Sequence, residues 1–129
     1  MKNKSFLSSL KYASKGIKTV FFDERNFRFD LIMCTLVVIC SFIFPLLKWE
    51  RCVVWALCAL CLFAECTNSA IEALVDLASP SFHPLAGRAK DIAAGAALIC
   101  AIFAAVIGLY IFIPYGVEFL KETGGFIHE

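Results

Sequence analysis

Residues 92–113, IAAGAALICAIFAAVIGLYIFI, decide the fold because they carry no charged side chain over 22 positions. A helix needs about 20 apolar residues to cross the hydrocarbon core of a bilayer, so this stretch predicts a transmembrane span over 92–114. Small residues recur on one face of it, a spacing that favours close helix packing between subunits. That face comprises Ala97, Ala101, Ala104, Ala105 and Gly108.

Two earlier apolar stretches predict two more spans. The first covers 30–48 and carries Pro45 near its end. The second covers 52–77, and its uncharged run stops at Glu65, too early to cross a bilayer alone. The helix must therefore continue through charged residues to reach a full crossing. A loop over 78–91, rich in small and turn-forming residues, connects it to the third span.

The segment before the first span has the pattern of a helix that lies on a membrane surface. Over residues 4–21, apolar side chains recur at helical spacing while Lys11, Lys15 and Lys18 share a separate face. These lysines interrupt the continuous apolar run that a cleaved signal peptide needs. The sequence therefore predicts one all-α integral membrane domain over 1–129, with three transmembrane helices and an N-terminal amphipathic surface helix.

Composition and charge support this class and exclude others. The chain is 60% hydrophobic and 18% charged, which leaves no room for a separate soluble domain of ordinary size. Its net charge of +1, without a basic stripe, argues against a nucleic-acid partner. With the N-terminus inside, nine of the twelve Lys and Arg residues are cytoplasmic, as the positive-inside rule requires. The loop over 78–91 is then cytoplasmic, where ATP is available.

Seven cysteines lie in apolar runs, far along the chain from His83 and His128. Cys58-x-x-Cys61 has no second ligand pair, so it is a weak zinc signal. We interpret the cysteines as small polarizable side chains that fill helix contacts.

Four polar side chains form a stripe on the predicted second span. Offsets of 3, 7 and 11 residues at about 100° each place them on one narrow face. Acids inside a membrane usually mark a functional site, although they can also only fix the register of packed helices. A deep carboxylate suits a general base for a lipid hydroxyl, and acids nearer the surface suit magnesium that accompanies nucleotide phosphates. The stripe consists of Glu65, Asn68, Glu72 and Asp76.

Glu24, Lys90 and Asp91 lie at the same predicted membrane surface and are further candidates for phosphoryl transfer. No Gly-rich phosphate loop of the soluble nucleotide-binding folds occurs in the chain. Each candidate has a structural alternative. Lys90 suits an interfacial anchor, Asp91 suits a helix cap, and His83 suits a solvated loop residue.

The stripe segment 65–76, ECTNSAIEALVD, followed by HPLAGRAKD at 83–91, resembles the signature of prokaryotic diacylglycerol kinases. The resemblance extends from the helix containing Lys15 and Gly16 through the turn at 24–28 and into the third span, and only the tail after Pro114 falls outside it. It implies a homotrimer in the bacterial inner membrane. Composite active sites would lie where subunits meet at the cytoplasmic face.

The resemblance also implies cofactors and residue roles. ATP and Mg²⁺ are the implied cofactors, and the γ-phosphate of ATP would pass to a lipid alcohol. Glu65 matches the general base, Glu24 and Glu72 match magnesium ligands, and Asn68 and Asp76 match a supporting polar shell. The matching nucleotide contacts are Tyr12, Glu24, Glu72, Ser81, Phe82, His83, Lys90 and Asp91.

The lipid substrate is left open between two alcohols. Some diacylglycerol kinases carry serine where this chain has Ala94, so a hydroxyl near the lipid site is missing here. The turn ERNFR at 24–28 and the stretch HPLA at 83–86 are more similar to the undecaprenol kinase branch. The resemblance therefore favours undecaprenol without excluding diacylglycerol.

Two non-enzymatic readings compete with a kinase. Stacked intramembrane acids are also expected in a small transport or proton-conducting protein. Alternatively, the acids of a purely structural subunit would pair with basic residues of a partner. Charged residues gathered at one predicted cytoplasmic mouth, Glu24, Lys90 and Asp91, favour the enzyme over a pore.

Overall fold

The computed structural model describes residues 5–125, in which every regular element is an α-helix. The four helices are α1 (Phe6–Asp23), α2 (Arg25–Ile43), α3 (Lys48–Ala78) and α4 (Pro84–Gly125). Helices α2, α3 and α4 are long and apolar enough to cross a membrane. The predicted all-α membrane fold is therefore confirmed. Residue 4 of the predicted surface helix and residues 126–129 of the tail lie outside the described part.

The loop between α3 and α4 is shorter than the predicted 78–91, because α4 already begins at Pro84. Proline suits the first position of a helix, where its missing N–H has no partner to lose. His83 supports this start: its Nδ1 accepts a hydrogen bond from the Leu85 N–H at 3.2 Å, and its carbonyl accepts one from the Gly87 N–H at 3.2 Å. Only residues 79–83 are left to connect the two helices.

Two of the other three prolines, Pro114 and Pro45, have different effects on their helices. Pro114 lies inside α4, which continues past the predicted end of the third span to Gly125. Spanning helices tolerate an internal proline because neighbouring groups satisfy the freed carbonyl. In contrast, α2 ends at Ile43 and Phe44 is extended, since the residue before a proline avoids the helical region. Helix α2 also begins at Arg25, before the predicted span.

The three long helices pack as a bundle in which α3 lies between α2 and α4. Leu46, Val54 and Ile111 form the buried cluster, at the end where α2 turns into α3. Most large apolar side chains on these helices are exposed in the single chain. Apolar surface of this extent indicates contact with lipid or with other subunits.

Polar side chains close the same end of the bundle and fix the register of the three helices. The Glu50 carboxylate accepts hydrogen bonds from the N-cap of its own helix and from a tyrosine of α4, and the buried Ser41 accepts two from α3, so these polar groups are satisfied. The bonds are Tyr115 Oη to Glu50 Oε2 at 2.6 Å, Leu47 N to Glu50 Oε2 at 2.9 Å, Arg51 Nε to Ser41 O at 3.0 Å, and Trp55 Nε1 to Ser41 Oγ at 3.0 Å.

Helix α1 contacts α2 and α3, while its apolar residues near the N-terminal end, Phe6 and Leu7, are exposed. Arg28 of α2 holds the other end of α1. Its Nη1 donates hydrogen bonds to the carbonyls of Phe21 at 3.0 Å and Phe22 at 2.8 Å. A cation is favourable at the C-terminus of a helix, where the last carbonyls are unpaired.

Replacing Arg28 by alanine is expected to loosen the end of α1, because two hydrogen bonds from a charged donor are lost. Such bonds contribute on the order of 1–3 kcal/mol each when water is excluded. Hydrogen exchange measured by mass spectrometry should speed up over residues 6–23 and stay unchanged over α3. Arg25→Ala, one turn earlier, is the control. Equal exchange over α1 in the wild type and in Arg28→Ala would contradict this role.

Candidate functional site

Glu65 is the buried centre of the site, with a side chain only 6% exposed in the single chain. It lies on α3, facing the junction of α1 and α2. The acidic groups that interact with it electrostatically are Glu24, Asp30 and Glu72, and the Asn26 side-chain amide hydrogen bonds to its carboxylate. Negative charge from α2, from α3 and from the residue between α1 and α2 is therefore concentrated around one buried carboxylate, which favours a cation nearby.

Asn68 and Glu72 lie one turn apart on α3 and are joined directly. Asn68 Nδ2 donates to Glu72 Oε1 at 3.0 Å, which orients both side chains. Within residues 5–125, the buried Oδ1 of Asn68 has no hydrogen-bond partner. An unpaired buried acceptor costs about 1–3 kcal/mol, so this oxygen is set to accept a hydrogen bond from a bound ligand or its water.

Lys90 connects α4 to the acidic face of α3. Its Nζ lies 2.5 Å from Asp76 Oδ1, and Glu72 is a second acidic neighbour. The pair is partly open to solvent, with side chains 35% and 66% exposed, so it adds little to stability. The main effect of the pair is to keep the positively charged Lys90 ammonium group at the end of the carboxylate stripe.

The other predicted site residues lie at the surface. Tyr12 is exposed on α1, and Asp91 is exposed on α4. Ser81 and Phe82 are exposed in the loop, Phe82 at 94%. Within the described chain, neither these two loop residues nor Asp91 forms a hydrogen bond or ion pair with the acids of α3.

The exposed His83 contacts the start of α4 through the Leu85 N–H rather than any acid of the stripe. The structure therefore brings together Glu24, Glu65, Asn68, Glu72, Asp76 and Lys90, but not the loop residues.

Sequence reasoning missed Asn26 and Asp30, which face Glu65 from the first turns of α2. The sequence analysis places Asn26 in the turn at 24–28 and Asp30 at the first position of the predicted span 30–48, and it gives neither a role in the site. Their spacing of four residues puts them on one face of a helix, and this spacing is the sequence feature that could have identified them. It applies only if both residues are helical, which the start of α2 at Arg25 establishes.

An apolar groove opens between α1, α2 and α3, with a volume of about 540 Å³. Leu62 and Cys66 of α3 line it, and Ile17 and Phe21 of α1 form another wall. Glu65 does not line this groove, because Leu62 and Cys66 lie on a different face of α3 from the acidic stripe. The volume and the apolar lining suit a chain-like ligand.

The family model of the prokaryotic diacylglycerol kinases matches residues 11–112. The chain belongs to this family. The match includes all the carboxylates around Glu65 and the Lys90–Asp76 pair. Prokaryotic diacylglycerol kinases are lipid kinases, so the chain is an enzyme that uses a nucleotide phosphate donor and a lipid substrate. The family expected from the stripe and loop motifs is thereby confirmed.

The similar proteins include both undecaprenol kinase and diacylglycerol kinases. The chain is 39% identical over 109 residues to undecaprenol kinase of Bacillus subtilis, covering 84% of this chain and 89% of that one. It is 34% identical over 111 residues to a diacylglycerol kinase of Synechocystis, covering 85% and 63% of the two chains. It is 35% identical over 115 residues to a diacylglycerol kinase of Helicobacter pylori, covering 87% and 88%.

Proposed function

We propose that this kinase transfers the γ-phosphate of ATP to the hydroxyl of a membrane lipid alcohol, undecaprenol or diacylglycerol, with undecaprenol favoured. The position of Glu65 carries the proposal: the carboxylate is buried on α3 in a row of polar side chains that ends at Lys90, and an apolar groove opens on another face of the same helix. The groove suits a lipid tail, and the row of polar groups suits a charged phosphate donor with its cation. The relative named undecaprenol kinase, at 39% identity, supports the substrate preference.

Glu65 is proposed as the general base. A lipid hydroxyl beside its carboxylate gives up its proton to Glu65 as the hydroxyl oxygen forms a bond to the γ-phosphorus. The bond between that phosphorus and the oxygen bridging to ADP breaks on the opposite side. The Asn26 amide, which hydrogen bonds to the carboxylate, holds it in a fixed direction. Burial excludes bulk water, which would otherwise compete with the lipid hydroxyl as acceptor.

Glu24 and Glu72 are proposed to hold Mg²⁺, which neutralises charge on the phosphates when it is bound. Mg²⁺ usually takes one or two carboxylates together with phosphate oxygens and several waters, and a pair of glutamates fits that demand. The unpartnered Oδ1 of Asn68 supports this assignment, because it can accept a hydrogen bond from a metal-bound water. Within residues 5–125, no cluster of three or more acidic, His or Cys side chains forms a closed metal site. Phosphate oxygens of the nucleotide and water are proposed to supply the remaining ligands.

Lys90 is proposed to contact the nucleotide phosphates, in exchange for its contact with Asp76. The remaining proposed nucleotide contacts are Tyr12, Ser81, Phe82, His83 and Asp91.

The active site is proposed to be completed by a neighbouring subunit of a homotrimer, at the cytoplasmic face of the bacterial inner membrane. Phe82 and Asp91 are exposed and do not bond to the α3 acids of their own chain. The apolar surface of the long helices leaves ample area for subunit contact. Four of the small residues on α4 line a groove within one chain, so the predicted subunit contact through that face stays a prediction.

Replacing Asn26 by alanine is expected to lower kcat by about 10-fold to 100-fold, because a misdirected base is a poor base. The KM values for lipid and for MgATP should stay near those of the wild type, since Asn26 touches the base and neither substrate. Steady-state kinetics in mixed micelles measures both. Asn26→Gln, which keeps the amide, should recover part of the rate, and Arg25→Ala is the matched control. A change confined to KM would contradict a positioning role.

Competition between undecaprenol and diacylglycerol in one assay tests the proposed substrates. Purified chain in mixed micelles receives both lipids and ATP labelled in its γ-phosphate, and the labelled products are separated by thin-layer chromatography. We expect label in undecaprenyl phosphate at the higher kcat/KM. Label in phosphatidic acid alone would contradict the preference for undecaprenol.

A further inference from the structure

Cys34 of α2 and Cys58 of α3 face each other across the contact between these helices. The Cys34 Sγ lies 3.7 Å from the Cys58 carbonyl oxygen, and the Cys58 Sγ lies 4.0 Å from the Cys34 carbonyl oxygen. Each thiol therefore lies next to the backbone of the opposite residue. This reciprocal contact places the two cysteines side by side across the contact between α2 and α3, as an interhelical disulfide requires.

Both thiols lie at an open groove in the single chain. They are half-buried and line an apolar groove of about 430 Å³ between α2, α3 and α4. Cys61 and Asp30 line the same groove. An apolar molecule of the bilayer that enters the groove contacts the Cys34–Cys58 pair directly. Cys40 and Cys66 do not line this groove, although they lie on the same two helices.

We propose that Cys34 and Cys58 are a redox-modified pair, oxidised to an interhelical disulfide by organic hydroperoxides that partition into the bilayer. Two S–H bonds break and one S–S bond forms. The hydroperoxide accepts the two electrons and both protons, its O–O bond breaks, and it leaves as an alcohol and water. This assignment replaces, for these two residues, the interpretation that the cysteines only fill helix contacts.

The position of the pair makes the modification consequential. Cys34 lies one turn after Asp30 on α2, and Cys58 lies two turns before Glu65 on the same face of α3. A covalent bond at this level fixes α2 against α3 about two helical turns, or roughly 10 Å, from the buried carboxylate. The thiolate is the reactive form of cysteine and is disfavoured in apolar surroundings, so oxidation of the pair should be slow with any peroxide. A peroxide that partitions into the bilayer is more concentrated at an apolar groove than a water-soluble one, and it should therefore oxidise the pair faster.

Disulfide mapping of the full chain in lipid vesicles tests the proposal without any activity measurement. Vesicles are treated with cumene hydroperoxide, free thiols are blocked with N-ethylmaleimide, and tryptic peptides are analysed by mass spectrometry. Trypsin sites at Lys48 and Arg51 separate the two cysteines, so the disulfide joins two peptides. We expect the joined peptides to dominate in oxidised wild type, to vanish after dithiothreitol, and to come from a chain that migrates as a monomer.

Each of the two joined tryptic peptides contains more than one cysteine, so the peptide masses alone do not identify the linked pair. Cysteine variants identify it. Cys34→Ser and Cys58→Ser should each abolish the joined peptides, whereas Cys40→Ser and Cys66→Ser should keep them. Circular dichroism checks that each variant is folded, and alanine replaces serine in any that is not. The proposal is overturned if oxidised wild type shows no joined peptides, or if they persist in Cys34→Ser or Cys58→Ser. It is also overturned if the disulfide forms only between two copies of the chain.

Discussion

Replacing Glu65 by glutamine is expected to lower kcat by about 100-fold to 10,000-fold, the loss typical of removing a general base. Glutamine has nearly the shape of glutamate, so the packing around this buried side chain is kept, but its amide cannot take a proton from a lipid hydroxyl. The KM values for the lipid and for MgATP should change little, because neither depends on proton transfer. Steady-state kinetics with purified variant in mixed micelles measures all three constants.

Glu118→Gln is the matched control for this loss, since it removes one exposed carboxylate from α4, far along the chain from the stripe. It should keep nearly all activity. Thermal unfolding of both variants shows that they are folded at the assay temperature. A folded Glu65→Gln protein with unchanged kcat would refute the base and support a structural role for the acid stripe.

Replacing Glu72 by glutamine is expected to raise the Mg²⁺ concentration needed for half-maximal rate on the order of 100-fold, because a metal ligand loses its charge. The substitution isolates that charge. The Asn68 Nδ2 bond, 3.0 Å long in the wild type, can be kept by the glutamine side-chain oxygen. Magnesium titration of the initial rate at saturating ATP and lipid measures the shift.

Asp76→Asn is the comparison, because its structural partner is Lys90 and it has no proposed bond to the metal. It should shift the magnesium titration much less than Glu72→Gln. A Glu72→Gln protein that requires no more magnesium than the wild type would remove Glu72 from the proposed metal site.

The helices of this fold were predictable because each long apolar stretch can satisfy its backbone groups in a bilayer only as a helix. The element ends were less predictable. Pro84 begins α4 and Pro114 lies inside it, whereas Pro45 follows the end of α2. One residue type thus has three outcomes, which depend on capping groups such as the His83 ring and on the neighbouring helices rather than on the local pattern.

The sequence predicted which site residues share a face of one helix, but it did not predict the contacts between helices. Helical spacing alone placed Asn68 and Glu72 on a shared face, and the structure joins them by a hydrogen bond. The approach of Asn26 to Glu65, and that of Lys90 to Asp76, depends on how α2 and α4 sit against α3. No spacing within a single helix specifies such contacts.

The cysteines show the same limit. Spacing gave no reason to pair Cys34 with Cys58, which are far apart in the chain and carry no motif. The antiparallel turn between α2 and α3 places them opposite each other.

Transfer of label from ATP to a lipid alcohol by the purified chain is the most direct test of the central claim. Mixed micelles with undecaprenol or diacylglycerol receive ATP labelled in its γ-phosphate, with Mg²⁺ present or removed by chelation. We predict labelled lipid phosphate that requires Mg²⁺ and is lost in Glu65→Gln. Folded protein that labels neither lipid, but carries protons across vesicle membranes, would contradict the account and favour a transport protein.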